Sequence, residues 1–583
     1  RFQQKVTEAP SSVSVITSAE IKRYGYRNLA DALKSIRGFY VTYDRTYQYL
    51  GSRGFSRPND FNTRYLLLVN RHRLNDNIYD TAQIGNELPL DLDLVDRIEI
   101  IRGPGSSLYG SNAFFGVINV VTKAATDFDG IEASAEAASF DTYKSRVTYG
   151  KNYSNGAALS ASATRSRSNG QSLFFREYAD PATNNGNADN CDEERYGNAF
   201  MSLTYKDFTL QGAYGSRTKR IGIGSYESVF NDKRTRNTDD RGYIDLRHEL
   251  NLDNHTTISS TIFYDYYRYT GNWLFDTPVL NKDIAIGKWW GLESEISSRI
   301  GDKHTVVGGV EYRDNILQMQ RNYDKYPYFS YLRHSQGSYT WAAYAEDQYK
   351  ISGNLLLNTG IRYDHYKIFG DTVNPRIALI YNPLEKTTIK LLYGTAFRTP
   401  NAYELYYGDG FNTQKPNPGL KPEKVSTYEM ILEQYLGNYR FSFSGFYYRA
   451  RDMISQQIDP VDGLIVFRNA DEVESKGLEF EVQGRWAKDI EGQLSYSYQE
   501  TRDKTTGRLL TNAPKHLLKA NVYAPIIRKY LSAGVEAQYT GPRRTLAGTS
   551  TGGFITTNLT LLNRELVKGL EISGTVYNIF DTK

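Results

Sequence analysis

Residues 98–123 read IEIIRGPGSSLYGSNAFFGVINVVTK, and this stretch decides the fold. Two β-rich apolar runs, Ile98–Ile101 and Val117–Val121, flank a core of Gly103, Pro104, Gly105, Ser106, Ser107, Gly110 and Ser111. Apolar runs bounded by turn residues predict strands of a small compact domain. The glycines lack the Gly-Lys-Ser/Thr ending of a phosphate loop. Backbone with positive φ and close packing accounts for them better. Upstream the chain reads as mixed α/β; downstream the composition changes and stays changed. The stretch is the seam between two architectures.

Toward the N-terminus, Ser18–Ile21 look like a helix start, and Ala30, Leu33 and Ile36 continue at helical spacing up to Gly38. Leu66–Val69 is an apolar run suited to a buried strand. Leu90, Leu92, Leu94 and Val95 lead into Arg97–Ile100. These elements predict a domain over residues 1–124, a usual domain size.

From Ile131 onward the pattern has period two. Phe208/Leu210/Tyr214, Ile258/Ile262/Tyr264/Tyr266, Phe441/Phe443/Tyr447 and Leu570/Ile572/Val576 alternate with polar residues. A strand with one lipid face and one wet face has this pattern. The connections are sorted too. One set is tight, as at Lys206–Asp207, Asn251–His255, Gly301–Lys303 and Ile351–Gly353. The other is mostly long and polar, at about 167–195, 217–240, 268–287, 316–337, 397–423, 453–473, 502–513 and 541–553. Short turns on one side and long loops on the other predict a transmembrane β-barrel over residues 130–583. The count is 21 strands. A barrel that starts and ends on the periplasmic side needs an even number. One further closing strand is therefore expected beyond Asn578–Asp581, because an open edge in lipid is costly.

Composition agrees. The chain of 583 residues is 40% hydrophobic with mean hydropathy −0.56. No apolar run is long enough for a helical span. Its 48 Tyr, 26 Phe and 48 Gly fit aromatic girdles and a polar lumen. A net charge of +4 over this length argues against a nucleic-acid partner. The single cysteine, Cys191, excludes an intramolecular disulfide. No Ser/His/Asp or paired-acid constellation is apparent, so no enzyme is expected. No charged-then-apolar leader begins at Arg1, so a signal peptide is expected to have been removed or omitted.

The motifs Arg97-Ile98-Glu99, Arg102-Gly103-Pro104, Ser107, Tyr109-Gly110, Ala113, Gly116, Val117-Ile118-Asn119 and Thr122-Lys123 resemble the plug signature of the TonB-dependent outer-membrane receptors. Val13–Thr17 and Gly51–Phe55 are similar to further plug elements. Phe397–Pro400, Asn417–Leu420 with Pro422-Glu423, and Asn578–Asp581 are similar to barrel motifs. The resemblance is to the vitamin B12, colicin-receptor and catecholate-siderophore branch. It implies an N-terminal plug inside the lumen of a 22-stranded barrel in the bacterial outer membrane. It also implies active import of a bulky metal chelate, a ferric siderophore first and cobalamin second. The implied partners are a TonB-type inner-membrane complex, the chelate, outer-membrane lipid and lipopolysaccharide, and colicins or phage. Asn70-Arg71 departs from the family's usual Asp-Gly, and this sequence shows no TonB box. Haem receptors of this type place a histidine between the two central barrel motifs, where this chain has none.

The resemblance puts two plug tips in the extracellular vestibule. Their Tyr43, Arg45, Tyr47, Gln48 and Tyr49, and Asp76 and Tyr79, are the first candidate ligand contacts, joined by Tyr403, Tyr406 and Tyr407 of a long loop. Rigid aromatic walls bury much ligand area at small entropic cost. Loop aromatics Trp273, Phe275, Tyr323, Tyr326, Tyr328 and Phe329 are further candidates. Arg53 and Arg102 are expected to pair with barrel-wall carboxylates. No resident cofactor is required, but Asp189, Asp192, Glu193 and Glu194 offer oxygen ligands for Ca²⁺ in one loop.

Overall fold

A computed structural model describes residues 10–57, 59–128, 130–276, 278–410, 412–486, 489–528 and 530–582. The N-terminal part builds β1 (Ser12–Thr17), β2 (Phe39–Tyr43), β3 (Gln48–Ser52), β4 (Tyr65–Val69), β5 (His72–Arg73), β6 (Val95–Arg102) and β7 (Gly116–Thr122). Five of them form a sheet of order β1-β6-β7-β4-β5. β4 lies parallel to β7 and is buried at every position, as its unbroken apolar run requires. The single helix expected up to Gly38 is two helices, α1 (Ser18–Tyr24) and α2 (Leu29–Lys34). Gly25, at φ 64°, stops α1 with a left-handed cap, and Asn28 caps α2. Leu29 and Leu33 then pack with Ile98, Ile100 and Val120 in one core.

In the seam, Gly103 and Gly110 have φ of 97° and 72° and bracket α3 (Ser106–Tyr109). Gly105 differs. Its φ is −112°, and a Cβ there would lie 3.1 Å from Val117. Space, not chirality, explains that glycine.

Twenty-one strands, β8 (Gly130–Ala138) to β28 (Leu570–Val576), form a closed barrel around this domain. The ladders from β8 through β28 are antiparallel. With an odd number, β8 and β28 therefore run the same way where the ring closes. Both strands are exposed on inner and outer faces alike.

The strands used below are β12 (Phe208–Arg220), β13 (Arg236–Asn251), β14 (Thr256–Phe275), β15 (Val279–Ile300), β16 (His304–Asp324), β17 (Phe329–Ser352), β18 (Leu355–Tyr366), β21 (Glu423–Leu436), β22 (Tyr439–Ile458) and β23 (Ile465–Trp486). Several far exceed the roughly 9–11 residues a bilayer needs; β17 has 24. The long loops expected at 268–287 and 316–337 are thus mostly strand, with connections of only 276–278 and 325–328. Alternation continues through the end of β14, with Tyr267, Tyr269 and Trp273 turned inward and buried, and a bulge between Asn315 and Gln318 interrupts it in β16. The loop at 397–423 does leave the ladder, and carries α4 (Ala402–Tyr406).

Candidate functional site

The plug is fixed to one flank of the barrel through buried charge. Arg53 Nη2 lies 2.6 Å from Glu429 on β21, and its Nε 3.2 Å from Glu479 on β23. Glu479 also meets Arg37 at 3.2 Å and Arg102 at 3.4 Å. The expected roles of Arg53 and Arg102 are thus realised, and Arg37 joins them. Burial, reinforced by Arg37, pushes the Arg102 guanidinium down to about 10. A second buried network joins Arg64 to Glu423 at 2.6 Å, and Arg398 to Glu423 and Glu404 at 2.9 Å. These groups pair with one another, and their work is to hold the plug.

The two plug tips converge on the outer half of β13–β16 and on α4. In the first tip, Asp44 accepts from the Thr46 and Tyr47 amides at 2.7 and 2.6 Å and from the Tyr49 hydroxyl at 2.8 Å. That bond turns Tyr49 inward, to 3% exposure, so it builds the turn and does not face a ligand. Tyr43 is exposed and donates to the Arg45 carbonyl. Tyr47 donates to Asp239 on β13 at 3.0 Å, and Arg217 reaches the Thr46 carbonyl at 2.7 Å. Arg45, Tyr47 and Gln48 are half-buried.

In the second tip, buried Asp76 is consumed by the amides of Ile78, Tyr79 and Thr81 at 2.8, 2.7 and 3.0 Å. Its role is structural too. Tyr79 is buried against Tyr403, with ring centroids 5.1 Å apart, and against Tyr267 and Tyr269 at about 6 Å. Asn401 donates to the Tyr79 carbonyl at 2.8 Å, tying α4 to the tip. Tyr407 donates to Asp283 at 3.0 Å, and Tyr406 stacks on His334 at 4.5 Å. Asp80, beside this tip, is lifted by burial to about 6, although Arg313 pulls it the other way.

The two tips and the loop that the sequence names do come together, and the wall facing them adds residues that the sequence reading does not name. Phe61, Asp239, Tyr267, Tyr269, Asp283, Trp289 and Asn322 complete the cluster. The signal was available for β14. Once Tyr264 and Tyr266 are assigned to lipid, Tyr267 and Tyr269 must face the lumen.

The acidic run is dispersed. Asp192 pairs with Lys219, Glu193 with Arg195 and Arg220, Glu194 with Arg217 and Asn86, and Asp189 with Asn184. Alternation at the start of a strand sends neighbours to opposite faces. Among the described residues no three His, Cys, Asp or Glu are placed to share a metal ion.

Residues 184–579 match the family model for the TonB-dependent receptor-like β-barrel, and residues 5–117 that for the TonB-dependent receptor plug domain. The chain belongs to the TonB-dependent receptor family. An iron-regulated outer membrane virulence protein of Vibrio cholerae is 25% identical over 100% of this chain and 90% of its own length. The vitamin B12 transporter BtuB of Vibrio cholerae is 24% identical over 93% of this chain and 83% of its own. The ferric enterobactin receptor PfeA of Pseudomonas aeruginosa superposes with a TM-score of 0.78 at 18% identity, covering 99% of this chain and 93% of that one. The last likeness is one of fold. A TonB-dependent receptor is an outer-membrane transporter rather than an enzyme.

Proposed function

We propose that this TonB-dependent receptor imports a ferric siderophore of neutral or cationic character. The tyrosine cluster between the two plug tips and α4, with Asp239 and Asp283 set among its hydroxyls, carries this reading. Among the described residues Asp283 has no basic partner. A carboxylate so placed favours a chelate bearing hydrogen-bond donors or positive charge over a polyanion. Ligand bound at the tips biases the plug toward a state that a TonB-type complex can pull, by differential affinity for the two states. Cobalamin is the second reading, supported by the likeness to BtuB along most of the chain.

The test is a binding panel on the purified protein, read by tryptophan fluorescence, with ferric hydroxamates, ferric catecholates, cobalamin and haem. Tight binding of a neutral or cationic ferric chelate is expected. Binding of cobalamin alone would select the second reading. Large steady conductance of the native protein in a planar bilayer would overturn both in favour of a passive pore.

A further inference from the structure

The flank of the plug opposite Glu479 meets the wall at separate polar contacts, with space between them. A cavity of about 1410 Å³ separates Leu66, Leu68, Ile101 and Val121 on the plug sheet from the inner faces of β12–β18. That exceeds the roughly 300–1,000 Å³ of common ligand pockets. Its lining runs from Asn152 and Asn251, at the turn ends of their strands, to Gln336 and Asn401 at the loop ends.

One tight turn of the plug crosses this space. Asn70 and Arg71 both hold positive φ, 47° and 77°, the conformation for which the family's usual glycine is suited. Arg71 extends to Glu295 on β15 at 3.2 Å and to Glu249 on β13 at 3.8 Å. His72 is clamped between Asp245 and Asp265, 3.2 and 3.1 Å from its two nitrogens, and stacks on Tyr243 at 3.9 Å. Asn70 donates to Gln211 on β12 at 3.0 Å. A non-glycine residue kept at positive φ costs about 1 kcal/mol or more and persists where the surroundings impose it. Here the two-residue turn of the β4–β5 hairpin calls for it, Asn119 and Thr122 of the plug hold it, and the barrel takes up the side chains that project from it.

We propose that cargo crosses along this cavity, on the sheet side of the plug, and that the turn Asn70–His72 is the bar that closes it. Releasing Arg71 and His72 from β13, β14 and β15 opens the route while Arg37, Arg53 and Arg102 stay docked on Glu479. The wall presents amides, hydroxyls and charges of both signs, which suits a hydrophilic chelate. The inference rests on the transport reading, but its test needs no ligand, so the two fail separately.

The variant is Arg71→Gly with His72→Asn; glycine fits the observed φ. The matched control is Ser475→Ala with Thr501→Ala, which removes two hydrogen bonds to the Arg53 carbonyl on the opposite flank. In planar bilayers the bar variant is expected to show open events absent from native protein and control. As a second readout, Ser297→Cys is placed beyond the bar in a Cys191→Ser background. It is labelled in intact cells by membrane-impermeant fluorescein maleimide. Labelling is expected to be at least about tenfold faster in the bar variant, as it tracks local opening. A bar variant as tight as native in both measurements, or a control that opens equally, would overturn the proposal.

Discussion

The two flanks of the plug use charge in opposite ways. On the β21–β23 side, Arg37, Arg53 and Arg102 are almost wholly withdrawn from water onto Glu429 and Glu479. On the β12–β18 side, a cavity is crossed by Arg71, which remains about one-third exposed, and by His72, which is buried on Asp245 and Asp265. A buried pair is strongly destabilised by losing one partner, whereas a wet pair contributes little. Arg71 is therefore the loosely held charge of its flank, whereas Arg37, Arg53 and Arg102 are all firmly held, and each flank can be perturbed alone.

The largest effect belongs to Glu479→Ala, which strands the buried Arg37 and Arg102 guanidinium groups and leaves Arg53 with Glu429 alone. Calorimetry of the purified protein should show the plug transition destabilised by about 3–5 kcal/mol. An unchanged transition would erase the distinction between flanks. Asp31→Asn comes next. Burial opposes the Asp31 charge, but Arg27 holds its carboxyl down, to about 2 from 3.8. A lowered carboxylate stabilises above its unfolded value, and the gain is lost as pH falls through the folded one. The contribution is about 2 kcal/mol, so the native plug should weaken between about pH 4 and 2 while Asp31→Asn stays flat.

How much of this division the sequence carries depends on distance along the chain. Period-two alternation and sorted turns are local, so the barrel strands and the plug signature are legible. The strand extension past Arg268 keeps the same parity, hidden because its inward residues are aromatic, whereas a bulge between Asn315 and Gln318 shifts the parity past Ile316. The partners of Arg53 lie 376 and 426 residues away, and no local pattern selects Glu429 or Glu479 among the wall carboxylates. Tyr49, bonded to the Asp44 carboxylate, and Asp76, bonded to its own backbone, are buried in their turns, and composition does not separate such residues from ones that face outward.

Smaller effects sharpen the contrast. Asp283→Asn keeps an acceptor for Tyr407 but removes charge. It should weaken a cationic chelate by about tenfold and leave a neutral one nearly unaffected in the same titration. On the wet flank, burial alone would lower His72, but Asp265 and Asp245 hold it above its ordinary 6.5. Arg241, which also pairs with Asp265, and Arg71 and Arg73 beside it oppose its charge. A raised histidine contributes its stabilisation fully below 6.5, and the hold is lost as pH rises through the docked value. Hydrogen exchange over Leu66–Arg73 should therefore quicken with pH beyond its intrinsic dependence, and His72→Asn should abolish the excess. Smallest is Arg71→Gly alone. It relieves strain of about 1 kcal/mol and forfeits a wet ion pair of about the same size, so thermal stability should barely move.

The barrel wall is uneven in height. β17 pairs with β18 only from Thr340 onward, so Phe329–Tyr339 rise with a ladder neighbour on the β16 side alone. At about 3.3 Å per residue that is a step of roughly 35 Å along the strand. On its inner side the extension meets the loop that carries α4, where His334 stacks on Tyr406. The rim of the barrel is lower over β18 than over β16 and β17 by that step.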